Sequence, residues 1–516
     1  MKRLFRGLRR APDATYDAVI IGAGIGGLIA ANLLARAGLR TLLVEQHYMV
    51  GGYCSTFRRA GFTFDAATHF YPLLGNPETL TGRLLAELGV ETGWVKMDPV
   101  DTFHFPDGSR FEVPADFDTY LARLKSEFPE EAAALDEFFA AVRETYLLGL
   151  LHYFRGRPLV QLDRLAAWRD LSVREVLDRF FRSPKLKLLL TADGPHWGSA
   201  PGRTSFVFDS MLRLSYFLGN YYPQGGSQAF ADDLARCFEE QGGHVLTSTL
   251  ARRILIEDGT ARGVELEVLR GTDPRRGFTC QVRADAVISN ADLRLTLERL
   301  VGAEHLPPGA IEEARSLRPT WPCFLIHLGL EDVPDDVLEH AQGYYWDHWE
   351  MDAMGRGALR FKIFSPTLYE PAMAPPGKKI VILQKVLEMD YEATADWPEH
   401  KRQIEAFALG HLERLIPGIT KRIVVSTSAS ARTSWRFTLN QQGAMLGWEM
   451  SPDQLGDGRP ARTTPVRNLY LVGHWTRPGG GITPVIVSAQ QVATAVIQGA
   501  GEVEKPCSSS LMIATS

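Results

Sequence analysis

Apolar runs and helical periodicity alternate near the start of this chain in the manner of a parallel α/β fold. Residues 17–21 (DAVII) form a short apolar run, and residues 41–44 (TLLV) form a second one. Between them a helix-forming segment extends to about Ala37, and Gly38 stands where a helix ends. The order strand, helix, strand predicts a βαβ unit with strands buried on both faces.

A similar pattern returns twice later in the chain. Residues 223–299 begin with a glycine turn, an amphipathic helix and a strand, continue with a hairpin that turns at 258–260, and end in another apolar strand. Residues 469–472 form an apolar strand followed by glycines and a helix, with Thr483 predicted as N-cap and Pro484 as first helical residue. We therefore expect one nucleotide-binding domain built from residues 14–75, 223–299 and 431–500.

The intervening segments have a different pattern. Residues 76–222 are mostly helical, with helices predicted over 80–88, 117–128 and 132–151. Residues 300–430 contain strand-like runs at 321–331 and 378–388 and an amphipathic helix at 398–418. We expect a helical substrate or lid region from the first segment and a second part of the substrate domain from the other. Residues 1–13 read as a basic tail and residues 501–516, with Cys507, as a loose tail.

Glycines occupy the turn between the first strand and its helix. Gly22, Gly24 and Gly27 have G-x-G-x-x-G spacing, with Gly26 as an extra glycine. In such a turn glycines permit a tight bend, a close approach of backbone to a pyrophosphate and close packing of helix on strand, while the helix N-terminus attracts phosphate. Glu45 ends the second strand, where a carboxylate accepts hydrogen bonds from ribose hydroxyls. These features predict a bound dinucleotide.

Composition narrows the function classes. The 516 residues carry a net charge of -5 and 45% hydrophobic residues, which indicates a globular protein of more than one domain without a general attraction for nucleic acid. No apolar run reaches the roughly 18 residues of a membrane span, and no signal-peptide core is present. Five cysteines without ligand spacing favour a reducing, cytoplasmic setting and no metal site. The basic segment 1–13 suits either contact with an anionic membrane surface or a disordered soluble tail.

Three motifs together resemble the phytoene desaturase superfamily, which contains carotenoid desaturases, carotenoid cis–trans isomerases and retinol saturases. The first runs from Glu45-Gln46-His47 through Gly51-Gly52 and Cys54 to His69. The second is RADAVISNADL at 283–293, and the third is G-x-x-x-x-P-G-x-G-I at 473–482. The first motif is most similar to saturases and isomerases and the third to desaturases, so the reaction stays open between desaturation, saturation and isomerisation.

The resemblance implies a two-domain, Rossmann-like FAD-binding α/β fold of the glutathione reductase/amine oxidase type, with an interleaved substrate domain of helices and antiparallel sheet. It implies FAD held without a covalent bond, and a hydride exchanged between a carbon of a long apolar polyene and flavin N5. Because no second nucleotide motif follows, a quinone, oxygen or a separate donor would have to exchange electrons with the flavin. The expected cofactor-binding residues are Gly22, Gly24, Gly26, Gly27, Glu45, Gln46, Gly51, Gly52, Ala251, Gly473, Gly481 and Ile482.

Catalytic groups are harder to choose because no Ser/His/Asp set or carboxylate pair stands out. A histidine or glutamate near the reacting carbons can stabilise a carbocation-like intermediate or remove its proton. For each candidate a structural role is an equal alternative. The candidates are His69, Tyr71, Arg436, Glu449 and His474.

Two other functions fit parts of the sequence. A flavin amine oxidase-like enzyme would explain Trp448 and Trp475 as an aromatic pair at the flavin, although no cysteine for covalent attachment lies nearby. A non-enzymatic prenyl or lipid binder, like Rab escort and GDP-dissociation-inhibitor proteins, would not need the glycine loop or Glu45. The apolar segment 145–154 and the aromatic residues of 206–222 suit either a greasy tunnel and membrane-facing lid or an ordinary helical core.

Overall fold

The computed structural model describes residues 12–269 and 276–499. The tail predicted at 501–516, with Cys507, lies outside the described residues, as does nearly all of the basic tail 1–13.

The described strands are β1 (Thr15–Ile21), β2 (Thr41–Val44), β3 (Thr56–Arg59), β4 (Phe62–Asp65), β5 (Trp94–Lys96), β6 (Asp101–His104), β7 (Arg110–Val113), β8 (Tyr221–Pro223), β9 (His244–Leu246), β10 (Thr249–Glu257), β11 (Thr260–Val268), β12 (Thr279–Ser289), β13 (Cys323–Glu331), β14 (Gly343–Trp346), β15 (Leu359–Phe364), β16 (Lys378–Val386), β17 (Ile423–Ala429) and β18 (Leu469–Leu471).

The described helices are α1 (Ile25–Arg36), α2 (Leu80–Glu87), α3 (Phe117–Glu127), α4 (Ala132–Gly149), α5 (Asp163–Ala166), α6 (Val173–Phe180), α7 (Pro184–Leu189), α8 (Phe206–Phe217), α9 (Ser227–Glu240), α10 (Leu293–Leu295), α11 (Ala310–Ser316), α12 (Asp335–Ala341), α13 (Trp397–Leu415), α14 (Ala431–Thr438) and α15 (Ile482–Ile497). Helix α4 continues as a π-helical turn, Leu150–Phe154.

The first sheet unites segments that are far apart in the chain. Its order is β10-β11-β12-β1-β2-β9, and β18 pairs with β12. Strands β12, β1, β2 and β9 run parallel, as does β18 beside β12. In β1, Ala18 and Ile20 pack under α1, α9 and α15, while Val19 and Ile21 face the opposite core. Burial on both faces explains why β1 reads as a continuous apolar run.

The second sheet has the order β17-β13-β16-β15-β14-β6-β7 and is antiparallel apart from the pair β14–β6. Its outer hairpin, β6–β7, comes from the segment 76–222, whose pattern is mostly helical. The sequence DTFHFPDGSRFEV alternates around a D-G turn, which explains why it forms a hairpin there. Helices of the segment 76–222 pack with Phe103 and Phe111 of this hairpin, whereas α12 and α13 pack on β13 and β16.

The start of the last helix differs from the prediction. Helix α15 begins at Ile482, and Gly481, not Thr483, is its N-cap. Gly481 has φ +98, a conformation that glycine adopts without steric cost, so the turn can enter the helix earlier. The hydroxyl of Thr483 instead lies 3.5 Å from the carbonyl oxygen of Pro72.

Among the described helices, none is long and apolar enough to cross a bilayer.

Candidate functional site

One cavity of about 880 Å³ opens between the two sheets. On one side it is lined by the turn after β1, the residues after β2 and the beginning of α15. On the other side it is lined by residues of α8, β13, β15 and β16. The cavity therefore connects the glycine-rich motifs of the first sheet with the apolar wall of the second.

The turn after β1 forms the first part of the wall. Gly22 has φ +96, and a Cβ added at Gly27 would lie 2.0 Å from the Gly22 carbonyl oxygen, so the helix packs on the turn as closely as backbone allows. Helix α1 has Gly24 as N-cap and no side-chain cap. Its first N–H groups therefore remain available to an anion in the cavity, where the positive end of the helix dipole favours negative charge.

Glu45 is fixed against the same turn. Its carboxylate accepts hydrogen bonds from the backbone N–H groups of Ala23 and His47, each with a donor–acceptor distance of 2.8 Å. Desolvation in the cavity wall raises its pKa, although these hydrogen bonds act in the opposite direction. Gln46 follows it on the cavity wall. Glu45 thus lies beside the glycine turn with its oxygens oriented by backbone donors.

A second pair of glycines packs on the first motif. The Gly51 N–H donates to the Ala23 carbonyl oxygen over 2.8 Å. A Cβ added at Gly52 would lie 3.3 Å from the Cα of Gly24. The two glycine motifs form one backbone-lined surface that side chains would obstruct.

The C-terminal motif completes this end of the cavity. Gly473, Gly481 and Ile482 line it, as does Ala251 at the start of β10. Helix α15, like α1, has a glycine N-cap and no side-chain cap. Two helix N-termini therefore border the same cavity.

Asn290 joins the two ends of the chain at this site, and sequence reasoning missed it as a site residue. Its Nδ2 donates to the Gly22 carbonyl oxygen over 3.2 Å. Cβ atoms added at Gly26 and Gly473 would lie 2.6 Å and 2.5 Å from its Oδ1. Asn290 belongs to the S-N-A-D motif, which could have identified it. That motif was interpreted only as part of the family resemblance and not as a binding site.

These residues fit FAD. Two uncapped helix N-termini offer donors for negative charge at separate places along the wall, and Glu45 offers acceptors for hydroxyls. Every expected cofactor-binding residue lines the cavity except Gly27, which packs directly behind it.

Two of the expected catalytic residues, His69 and His474, line the cavity. The His69 side chain is only 3% exposed, and neither ring nitrogen has a hydrogen-bond partner among the described residues. Asp65 Oδ2 lies 3.9 Å from His69 Nδ1, too far for a hydrogen bond. Desolvation lowers the pKa of His69, and desolvation together with the charge of Arg459 lowers the pKa of His474 to about 3. Both imidazoles are therefore neutral near pH 7.

The other three expected catalytic residues, Tyr71, Arg436 and Glu449, do not line the cavity. Tyr71 is fully buried between the rings of Trp94 and Phe230, in the core beneath the first sheet. Arg436 lies on the exposed face of α14.

Glu449 is 2% exposed but turned away from the cavity, where it forms ion pairs with Arg203 over 2.8 Å and Arg318 over 3.1 Å. Sequence proximity to a motif brought these residues near the site without directing their side chains into it.

The tryptophan pair is also directed elsewhere. Trp448 and Trp475 contact each other edge-on, with ring centroids 4.6 Å apart, but both are buried and neither lines the cavity. The aromatic pair of an amine oxidase is therefore not formed by these residues.

Helical segments supply much of the apolar wall. Phe208, Met211 and Leu212 of α8 line the cavity, as do Tyr146 and Leu150 from the end of α4 and its π-helical turn. These segments include the two apolar stretches for which the sequence suggested either a tunnel or a core.

Comparisons with known proteins agree with this geometry. The model of the family described as flavin containing amine oxidoreductase matches residues 25–497. A prolycopene isomerase from an Oncidium hybrid cultivar is 27% identical, over 94% of this chain and 84% of its own. A lycopene-forming phytoene desaturase from Pseudescherichia vulneris is 27% identical over 93% and 99%. An all-trans-retinol 13,14-reductase from Macaca fascicularis is 26% identical over 90% and 82%.

Solved structures show the same fold. An oxidoreductase from Methanosarcina mazei superposes with a TM-score of 0.65 at 19% identity, covering 92% of this chain and 99% of its own. A mutant of putrescine oxidase gives a TM-score of 0.65 at 16% identity, covering 95% and 100%. The predicted FAD-binding α/β fold is confirmed, and FAD is the cofactor. Relatives that include a prolycopene isomerase, a phytoene desaturase and a retinol reductase support the resemblance of its motifs to the phytoene desaturase superfamily. The chain belongs to the flavin containing amine oxidoreductase family.

Proposed function

We propose that this protein is an FAD-dependent enzyme that changes the C=C bonds of a long apolar polyene by desaturation, saturation or cis–trans isomerisation. One observation carries the proposal: a single cavity runs from the dinucleotide motifs to an apolar wall made by α8 and the end of α4. Relatives named for lycopene isomerisation, phytoene desaturation and retinol reduction support it.

The residues of the chain have separable tasks in this proposal. Bound FAD supplies the two-electron chemistry. The N-terminus of α1 holds the phosphates, Glu45 accepts from ribose hydroxyls, and the N-terminus of α15 stabilises negative charge on the flavin. The apolar wall orients the polyene and excludes water. The three-segment cofactor domain and the interleaved substrate domain correspond to these two tasks.

The cavity histidines act as neutral groups. Because the pKa of His474 is about 3, this imidazole does not supply a positive charge at physiological pH. Neither ring nitrogen of His69 has a hydrogen-bond partner among the described residues. Its unprotonated nitrogen can therefore accept a proton from a substrate carbon, or a hydrogen bond from a water held beside it.

Access for an apolar substrate suggests a membrane surface. Leu147 and Leu151, 60% and 36% exposed, lie on the same segment as Tyr146 and Leu150, which line the cavity. The exposed side chains of Arg155 and Arg157 follow directly. Exposed leucines with adjacent arginines suit peripheral contact with an anionic bilayer. We infer a cytoplasmic protein that takes its polyene at such a surface and exchanges electrons with a quinone or oxygen.

The test is anaerobic incubation of the purified, FAD-loaded protein with phytoene, a cis-lycopene and retinol, each with oxidised and with reduced flavin. Flavin bleaching as phytoene gains double bonds would identify a desaturase. Isomerisation without net redox, seen only with reduced flavin, would identify an isomerase, and loss of a double bond from retinol would identify a saturase. Failure to convert any polyene under either condition would contradict the proposal.

A further inference from the structure

A row of polar side chains interrupts the apolar wall of the cavity. Lys362, Tyr344, His196 and Tyr216 all line it, and the Lys362 side chain is 1% exposed. Apolar side chains border the row on the cavity side, where Lys362 Nζ lies 3.8 Å from the centre of the Phe70 ring. A binding wall for a hydrocarbon does not require these groups, and burying them costs free energy unless each is hydrogen-bonded.

The row is connected by hydrogen bonds from end to end. Lys362 Nζ lies 3.1 Å from Asp101 Oδ2 and 3.1 Å from the Tyr344 hydroxyl. The Tyr344 hydroxyl lies 2.7 Å from His196 Nε2, and His196 Nδ1 lies 3.0 Å from the Tyr216 hydroxyl. Asp101 stands behind the row as the counter-charge of Lys362 and does not line the cavity.

The direction of the bonds follows from Lys362. An ammonium group can only donate, so the Tyr344 oxygen accepts from Lys362. This bond polarises the Tyr344 hydroxyl, which makes its oxygen a poor second acceptor and its O–H a stronger donor, so Tyr344 donates its proton to His196 Nε2. The proton of neutral His196 is then on Nδ1 and is donated to the Tyr216 oxygen. Desolvation lowers the pKa of His196 well below its usual value, which keeps the ring neutral.

Tyr216 is left with a donor. Its oxygen accepts from His196, and its own proton has no acceptor among the residues that the structure describes. Burial raises the pKa of Tyr216 well above its usual value, so the hydroxyl keeps this proton. The row therefore ends in an O–H group that can donate to a molecule in the cavity.

We propose that Tyr216 binds an oxygen atom of the substrate, so that the preferred substrate is a polyene carrying a carbonyl or hydroxyl group rather than a pure hydrocarbon. Lys362, Tyr344 and His196 act as positioning residues that orient the Tyr216 proton. Because Lys362 is already neutralised by Asp101, the subsite suits a neutral oxygen acceptor better than a carboxylate. This inference rests on the proposed function, since it assigns the substrate class of the same cavity.

The experiment compares two ligands of one carbon skeleton on the FAD-loaded full-length protein. The probes are the polyene ketone β-apo-13-carotenone and the corresponding hydrocarbon without the oxygen. A ketone is chosen because it reacts with lysine less readily than an aldehyde. Dissociation constants come from quenching of tryptophan fluorescence, and the C=O stretch of the bound ketone comes from Raman spectroscopy.

The variants are Tyr216→Phe and, as a matched control, Tyr391→Phe, because Tyr391 does not line the cavity. The ketone is expected to bind wild type roughly fivefold more tightly than the hydrocarbon, which corresponds to one net hydrogen bond. Tyr216→Phe is expected to remove this preference and return the C=O stretch to higher frequency, leaving hydrocarbon binding unchanged. Tyr391→Phe is expected to leave both affinities unchanged.

Two outcomes would overturn the inference, and they are distinguishable. If wild type binds the hydrocarbon as tightly as the ketone, or if Tyr216→Phe weakens both equally, the oxygen subsite is wrong while the proposed polyene function stands. If the FAD-loaded protein binds neither probe, the polyene function and the subsite fall together.

Discussion

The side-chain amide of Asn290 donates a hydrogen bond to the carbonyl oxygen of Gly22 over 3.2 Å. This bond joins the end of β12 to the turn after β1, two segments that are distant in sequence. The other amide atom, Oδ1, lies against Gly26 and Gly473. One side chain thereby sets the spacing between the glycine motifs from the beginning and the end of the chain.

Replacing Asn290 by alanine is expected to weaken FAD binding. The variant loses the bond to Gly22 and the contact that separates Gly26 from Gly473, so the dissociation constant for FAD should rise roughly 5- to 10-fold. The measurement is a fluorescence titration of the apoprotein with FAD. Asn76→Ala is the control, because it removes a similar bond, to the Leu218 carbonyl oxygen, away from the cavity. Equal FAD affinities in the two variants would contradict the role of Asn290.

Two glycine-to-alanine changes should have opposite effects. At Gly27 the new Cβ would lie 2.0 Å from the Gly22 oxygen, so Gly27→Ala must displace the helix or the turn, and we expect little folded, FAD-containing protein. At Gly410, within α13, the new Cβ meets nothing closer than 4.0 Å. Gly410→Ala should stabilise the protein by about 0.5–1 kcal/mol. Thermal unfolding and flavin content of the purified variants check both expectations, and normal flavin loading of Gly27→Ala would count against this account of the turn.

The strand, turn and helix at the start of the first sheet were predictable because their patterns are local. The apolar run of β1, the glycine turn and the helical spacing of α1 each lie within one contiguous segment. The second sheet was less predictable because its pairings are not local. Strand β6 joins β14 across more than 200 residues, and no periodicity records which strand becomes its neighbour.

Glu449→Gln is expected to change stability and not catalysis. The Glu449 carboxylate is 2% exposed and pairs with Arg203 and Arg318, so its neutral replacement should lower the free energy of unfolding by roughly 1–3 kcal/mol. Turnover per bound FAD should stay within about twofold of wild type, because losing these two ion pairs, which lie away from the cavity, does not alter the barrier. Denaturant unfolding and polyene turnover are the measurements, with exposed Glu312→Gln as the control. A large loss of turnover per FAD would restore Glu449 as a catalytic candidate.

Lys362 should make the free energy of unfolding depend on pH in the alkaline range. Burial lowers its pKa from 10.5 to about 8, although Asp101 acts in the opposite direction. Between these values the unfolded chain binds more protons than the folded protein, so the free energy of unfolding rises with pH, by at most about 1.4 kcal/mol per pH unit. The destabilising contribution of Lys362 is fully present below pH 8 and diminishes toward pH 10.5.

The Lys362→Met variant lacks this titration. The unfolding free energy of wild type minus that of the variant should therefore increase from pH 8 to pH 10, as measured by urea unfolding at several pH values. Lys421→Met, which changes an exposed lysine, should follow wild type. A difference that stays constant over this range would show that Lys362 does not titrate there.

The site was only partly predictable from sequence. Glycines and Glu45 could be identified because their role depends on local spacing. The polar row could not, because Lys362, Tyr344 and His196 lie on different elements, and 148 residues separate the bonded pair Tyr344 and His196. The orientation of a side chain at the end of a motif is set by tertiary packing, which explains why Tyr71 and Glu449 face away from the cavity.

Flavin and polyene are expected to occupy one continuous cavity. The most direct test is titration of the FAD-loaded protein with phytoene, which does not absorb where the flavin does, while the visible flavin spectrum is recorded. We predict a saturable change of the flavin band at one phytoene per flavin. Leu212→Trp, which fills the apolar wall on α8, should abolish the change and keep the FAD. A flavin spectrum that does not change at saturating phytoene, or purified protein that cannot be loaded with FAD, would contradict the account.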